Sequence, residues 1–202
     1  MRVLVACEWS GTVRDAFRAK GHDAWSCDLE PCAAGPDFHL QMDAMAAVVA
    51  GGPWDALIAF PPCTYLCKSG LHWNGRIDGR ADKTERALAF VRALMAAPVP
   101  RIAIENPSGR ISTAIRKPDQ TIQPYQFGHD ASKATCLWLK GLPPLEHTRQ
   151  VAPRMVDGRP RWANQTDSGQ NRLGPSPGRA RARGKTYQGI ADAMASQWGV
   201  DR

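Results

Sequence analysis

Apolar residues along this chain come in short runs, separated by segments whose apolar positions recur at helical spacing, the pattern of strands alternating with helices. Arg2-Val3-Leu4-Val5-Ala6-Cys7 reads as a buried strand. From Gly11 to Lys20, Val13, Ala16, Phe17 and Ala19 mark a helix that Gly21 ends. Asp23-Ala24-Trp25-Ser26-Cys27 predicts a second strand, closed by Asp28 and a loop around Pro31, Gly35 and Pro36. A helix over 43–50 stops at Gly51-Gly52-Pro53, and Trp54-Asp55-Ala56-Leu57-Ile58-Ala59-Phe60 supplies another strand, broken by Pro61-Pro62. Residues 61–80 read as a loop. An amphipathic helix over 82–97 carries Ala87, Leu88, Phe90, Val91, Leu94 and Met95, and the strand Arg101-Ile102-Ala103-Ile104-Glu105 follows.

Beyond residue 110 the pattern predicts strands near 123–127 and 134–140, then Pro143-Pro144 as punctuation. Residues 149–185 lack an apolar period, contain four prolines and five glycines, and are expected to be loop or disorder. A closing helix over 187–198 carries Ile190, Ala191, Met194 and Trp198. The expected architecture is α/β, a mostly parallel doubly wound sheet with helices on both faces. Three segments follow: a core at 1–148, a basic Pro/Gly-rich loop at 149–185, and a helix at 186–202 that packs back on the core.

With 202 residues and 43% hydrophobic content, the chain can bury a sizeable core. No apolar run approaches the roughly 20 residues needed to span a bilayer, and the amino terminus enters a strand pattern rather than a signal peptide. A cytoplasmic protein without membrane attachment is expected. Six cysteines scattered among strand-like segments point to a reducing compartment, and their spacing fits no structural metal site. The net charge of +7 is concentrated: residues 149–185 hold nine Lys or Arg against Asp157 and Asp167, leaving the rest neutral. That concentration suggests a polyanionic partner, with a solvated loop as the alternative.

Ligands of doubly wound sheets bind beyond the carboxyl ends of the strands. That rule brings the Gly11 turn, Asp28, Cys63 and Glu105 to one sheet edge. Cys7-Glu8-Trp9-Ser10-Gly11-Thr12 joins strand to helix, where free amides and a small residue allow a cofactor to approach, although a purely structural turn explains Gly11 equally well. A carboxylate at Asp28 can accept both hydroxyls of a ribose. Pro61-Pro62 hold Cys63 in a stiff turn, as suits a nucleophile, whereas Cys7, Cys27 and Cys136 read as inert. Glu105 at the end of an apolar strand is costly to bury without a partner, and such a carboxyl is often tuned for proton transfer. Trp9, Tyr65, Trp73 and Trp162 are expected in packing rather than stacking on bases, and His72 is not taken as catalytic.

The order of the Gly11 turn, Asp28, Pro62-Cys63 and Glu105-Asn106 resembles DNA cytosine-C5 methyltransferases. Tyr65-Leu66-Cys67, the string Thr135 to Pro144, and Lys185-Thr186-Tyr187-Gln188-Gly189-Ile190-Ala191 resemble short phage and prophage members. The resemblance implies a Rossmann-like S-adenosylmethionine-dependent enzyme acting on double-stranded DNA. Cys63 would add to cytosine C6, Glu105 would protonate or hydrogen-bond N3, and Pro62 and Asn106 would wall the pocket of a flipped base. The cofactor would meet Cys7, Glu8, Ser10, Gly11, Thr12, Asp28, Leu29, Asp43 and Phe60. The DNA would meet Thr64, Lys133, Arg179, Arg181 and Arg183.

This sequence also departs from that family. It lacks Phe-x-Gly-x-Gly in the first motif, has Thr64 after the nucleophile and Pro107 after Glu105-Asn106, and has no Gln-x-Arg-x-Arg, for which Lys133 is the nearest cationic candidate. About 40 residues separate the Cys136 strand from the final helix, too few for a recognition domain. Low or short sequence specificity is therefore expected, to which a recognition partner or a homodimer would add. Amino methylation of cytosine N4 or adenine N6, action on RNA or free nucleotides, and a non-catalytic DNA-binding module are the alternatives.

Overall fold

A computed structural model describes residues 1–200. Seven strands form one sheet: β1 (Arg2–Ala6), β2 (Asp23–Asp28), β3 (His39–Gln41), β4 (Ala56–Ala59), β5 (Arg101–Asn106), β6 (Gln120–Ile122) and β7 (Thr135–Lys140). Their order is β3-β2-β1-β4-β5-β7-β6. The first five are parallel, while β7 runs antiparallel to both β5 and β6. The chain passes outward from β1 to β2 and β3, then returns to lay β4 on the other flank of β1. This places a topological switch point between β1 and β4, and a cleft forms beyond the strand ends at such a point.

The alternation of side chains along the strands builds two cores. Leu4, Ala6, Leu57, Ala59, Ile102, Ile104 and Trp138 face one way, toward α2 (Ala44–Ala50) and α4 (Arg80–Met95). Val3, Val5, Ile58, Ala103 and Leu137 face the other, toward α1 (Thr12–Ala19) and α7 (Gln188–Trp198), which bring Val13, Phe17, Ile190, Met194 and Trp198. Val3 to Ala6 are all fully buried, which is why β1 reads as a continuous apolar run. The α/β architecture and its mostly parallel sheet with helices on both faces are as the sequence led us to expect.

Several elements differ from expectation. The strand expected at 123–127 is replaced by β6 and a 3-10 turn at Pro124–Gln126, since Pro124 has no N–H to give a ladder. β3, α3 (Lys68–Leu71) and α5 (Arg110–Ala114) are additional. The largest difference lies in residues 149–185, which are structured. There β8 (Arg154–Val156) and β9 (Arg159–Arg161) form a hairpin over Asp157 and Gly158, both at positive φ (48° and 71°), and α6 (Arg179–Gly184) follows.

Polar and aromatic contacts hold this segment to the core. Trp162 stacks on Tyr125 with ring centroids 4.3 Å apart, and Asn164 exchanges two hydrogen bonds with the backbone of Ser132. Within the segment, Arg154 pairs with Asp167 at 2.6 Å. The strings noted in the sequence have packing roles as well. At Gly141, φ is 63° and a Cβ would stand 2.5 Å from the Pro100 carbonyl, while a Cβ at Gly189 would collide with the Phe127 carbonyl as α7 docks.

Candidate active site

At the ends of β4 and β5, two loops are laced together by their backbones. Ala59 lies in register with Ile104, so the chains leave the sheet side by side as Phe60-Pro61-Pro62-Cys63 and Glu105-Asn106. Asn106, only 1% exposed, donates its side-chain amide to the Pro61 carbonyl at 2.7 Å. Further out, Arg110 N–H donates to the Leu66 carbonyl at 2.7 Å and Lys68 N–H to the Ser108 carbonyl at 3.1 Å. Gly109 lets the loops approach this closely, because a Cβ there would collide with the Leu66 carbonyl oxygen. The Cys63 carbonyl accepts from the amides of Leu66 and Cys67, so the nucleophile candidate opens a tight turn. Neither Cys63 nor Glu105 stands on a free-swinging loop.

Their electrostatics are linked through Lys133. Cys63 is exposed as a residue, yet the neighbouring loops crowd its thiol. Burial is the main influence raising its pKa, Cys67 and Glu105 add to the rise, and Lys133 opposes it. Glu105 lies in a recess beside Phe60, Lys133, Thr135, Thr186 and Tyr187. Burial raises its carboxyl above the ordinary range, against the pull of Lys133 and a hydrogen bond with the Thr135 hydroxyl. A thiol, a carboxyl inclined to keep its proton and an ammonium thus meet at one place. Lys133, whose only sequence signal was spacing, is brought there by β7, and its Nζ donates to the Arg183 carbonyl at 2.8 Å. Thr135 and Tyr187 were not among the sequence candidates. They enter because β7 lies against β5 and because α7 packs beneath it.

The ends of β1 and β2 have a different character. Glu8, expected at a cofactor, is buried and accepts from the first-turn amides of α1: Val13 N–H at 2.6 Å and Arg14 N–H at 3.2 Å. Burial pushes its carboxyl up to about 7 even though those amides and the Ser10 hydroxyl favour the charged form. Ser10 is engaged locally, donating to Glu8 and accepting from Thr12 N–H. Gly11 has φ 72°, and a Cβ there would meet Arg14 Nη2 at 2.7 Å and Ala34 at 3.1 Å, so the conformation and packing of the turn themselves favour glycine. Asp43 caps α2 through the amides of Met45 and Ala46. The side chains of Glu8, Ser10 and Asp43 thus take part in holding the first turns of α1 and α2, with Asp43 exposed and only one of its carboxylate oxygens so engaged.

What remains open to a ligand at this edge is narrower. Asp28 ends β2, with one carboxylate oxygen accepting from Glu30 N–H at 3.0 Å and no ion pair among the described residues. Leu29 beside it is 72% exposed, an unusual position for a large apolar side chain. Cys7 adopts φ 57°, a left-handed conformation rare for a residue with a side chain, as the chain turns out of β1. Burial is the main influence raising its thiol pKa, and burial likewise pushes the thiol of Cys27 up, to about 12; both shifts disfavour the thiolate. Phe60 sits half-buried between the two edges, its N–H donating to the Ala6 carbonyl.

The basic residues divide similarly. Arg181 pairs with Glu30 at 2.7 Å and lies 4.1 Å from the Trp9 ring centroid, so α6 closes over the β1–β2 edge. Arg161 and Arg172 donate to backbone carbonyls of their own segment. Arg179 and Arg183 make no ion pair among the described residues, and Thr64 is exposed, its carbonyl accepting from Arg80. Trp162 is taken by Tyr125. No helix among the described residues is long and apolar enough to cross a membrane. No family model matches this sequence, and no curated protein matches it.

Proposed function

We propose that this chain is an S-adenosylmethionine-dependent DNA cytosine-C5 methyltransferase, with Cys63 as nucleophile and Glu105 as the acid at N3. The observation that carries this reading is the pairing of the Cys63 thiol with the Glu105 carboxyl on two adjacent loops tied by Asn106 and Pro61. Carbon 5 of cytosine is a poor nucleophile, and addition at C6 corrects this. The Cys63 thiolate forms the C6–S bond while N3 takes the Glu105 proton, which shifts the electron pair to C5. The cofactor, when bound, supplies an electrophilic methyl group. Once C5 carries that methyl group, its proton would leave to water, the C5–H electron pair would form the C5–C6 double bond and break the C6–S bond to release Cys63 as thiolate, and N3 would return its proton to Glu105. Burial shifts Glu105 toward its protonated form, which suits the first step, and Lys133 favours the thiolate.

Asp28 and Leu29 support the cofactor reading. A carboxylate with a spare oxygen can bind a ribose diol, and an exposed apolar side chain beside it can cover an adenine face. Glu8, Ser10 and Asp43 contribute by fixing the helices around that cleft. Low or short sequence specificity follows from residues 149–185, which form a compact basic flap rather than a second domain, and phosphate contacts position without reading bases.

Replacing Cys63 by Ser should reduce transfer at least about a thousandfold while cofactor binding persists, and duplex DNA containing 5-fluorocytosine should be trapped covalently on the unmodified protein. Retention of full activity by Cys63→Ser, or 4-methylcytosine as the product by mass spectrometry, would overturn the proposal.

A further inference from the structure

A cavity of about 560 Å³ lies between the start of α1, the Ser132-Lys133 turn and residues 171–188. Four cations line it: Lys133, Arg172, Arg183 and Lys185. No carboxylate does, and none of the four forms an ion pair among the described residues. Two other arginines of the same basic segment are paired with carboxylates, Arg154 with Asp167 and Arg181 with Glu30. Unneutralised like charges gathered round a concavity raise its potential and favour an anion there. The cavity adjoins the Glu105 recess, with which it shares Lys133, Thr186 and Tyr187.

We propose that this cavity holds the phosphate of the target nucleotide, whose base reaches from it toward Glu105. The inference rests on the nucleic-acid reading above and assigns its backbone-binding subsite to the chain's own flap. The amino-acid end of a sulfonium cofactor is a poorer occupant, since the four cations would repel its ammonium and sulfonium and the lining has no carboxylate to offset them. A phosphodiester needs only donors. Lys133 joins the two recesses, so one ammonium serves both the phosphate and the reacting thiol and carboxyl.

The test is a titration of isotopically labelled full-length protein, followed by backbone amide NMR, with dCMP, deoxycytidine, inorganic phosphate and S-adenosylhomocysteine. dCMP should shift the amides of Ser132, Lys133 and Gln188 and bind about tenfold or more tightly than deoxycytidine, as expected for charge-assisted hydrogen bonds. Inorganic phosphate should shift the same amides more weakly. The double variant Arg172→Ala, Lys185→Ala should erase the advantage of dCMP while S-adenosylhomocysteine binds within about twofold. Both side chains are exposed, and the amide spectrum itself reports whether the variant folds. Equal binding of dCMP and deoxycytidine, no binding of dCMP, or S-adenosylhomocysteine shifting these amides would overturn the inference. Because no turnover is read, its failure is separable from failure of the methyl-transfer proposal, which the Cys63→Ser and fluorocytosine experiments decide.

Discussion

The two halves of the sheet edge are built from the same kind of sequence, a short apolar strand followed by a polar or sulfur-bearing residue, and they use it in opposite ways. Beyond β1, and at Asp43 ahead of α2, the carboxylates accept hydrogen bonds from helix amides, so their side chains help to hold the frame. Beyond β4 and β5, backbone and amide contacts hold the frame instead, which leaves Cys63 and Glu105 without capping duties. A residue's place at a strand end thus says that it is near a cleft. What the backbone around it lacks decides whether the side chain is available for chemistry.

The comparison breaks most visibly at Gly109. Substitution by Ala forces the Glu105 loop away from Leu66, and a displacement of about 1 Å at a reacting group costs on the order of a hundredfold in rate. Gly109→Ala should therefore lose transfer by about that factor while cofactor binding, measured by calorimetry, changes by less than about threefold. Equal damage to both would show that the two halves are one unit.

Glu8 offers the complementary measurement. Its folded pKa of about 7 exceeds the ordinary carboxyl value of 4.5, so between the two the folded chain keeps a proton that the unfolded chain releases. The corresponding stability is complete below about pH 4.5 and is lost as pH rises through about 7. Thermal melts should show the protein losing on the order of 3 kcal/mol across that window. Glu8→Gln should lose this slope, at a lower baseline because its amide nitrogen faces a helix N–H. A slope unchanged in the variant would assign the titration elsewhere.

The smallest effect should come from Lys133→Met. Removing the ammonium takes away the one charge that lowers the pKa of Cys63, so the pH profile of thiol alkylation should move to higher pH. Glu105 should likewise hold its proton more firmly. In transfer assays both limbs of the bell-shaped profile should move up in pH together, whereas a lysine acting only in packing would leave them in place.

Much of this was legible in the chain. β1, α1, β4, β5, β7 and α7 follow the apolar pattern because each buries a continuous or periodic face. β3 escaped because His39-Leu40-Gln41 carries one apolar residue and is held by its parallel register with Ser26 to Asp28. The flap escaped because it has no apolar period: its order comes from Trp162 on Tyr125 and Asn164 on Ser132, partners more than thirty residues away. Asp157-Gly158 was a readable hairpin signal within it. At the site, position identified Cys63, Glu105 and Asp28. Only the geometry showed that Asp43 caps a helix and that Thr135 joins the recess, because a carboxylate before a helix and one beside a ligand look alike in sequence.

The clasp between Asn106 and Pro61 also bears on how the protein ages. Asparagine usually deamidates when the following backbone nitrogen attacks its side chain, and proline at position 107 offers no N–H for that ring closure. The side-chain nitrogen, which would otherwise be free to attack its own carbonyl and cut the chain, is held on the Pro61 oxygen and closed off from water. The contact that aligns the two loops is thereby shielded from the commonest spontaneous damage to its own residue type.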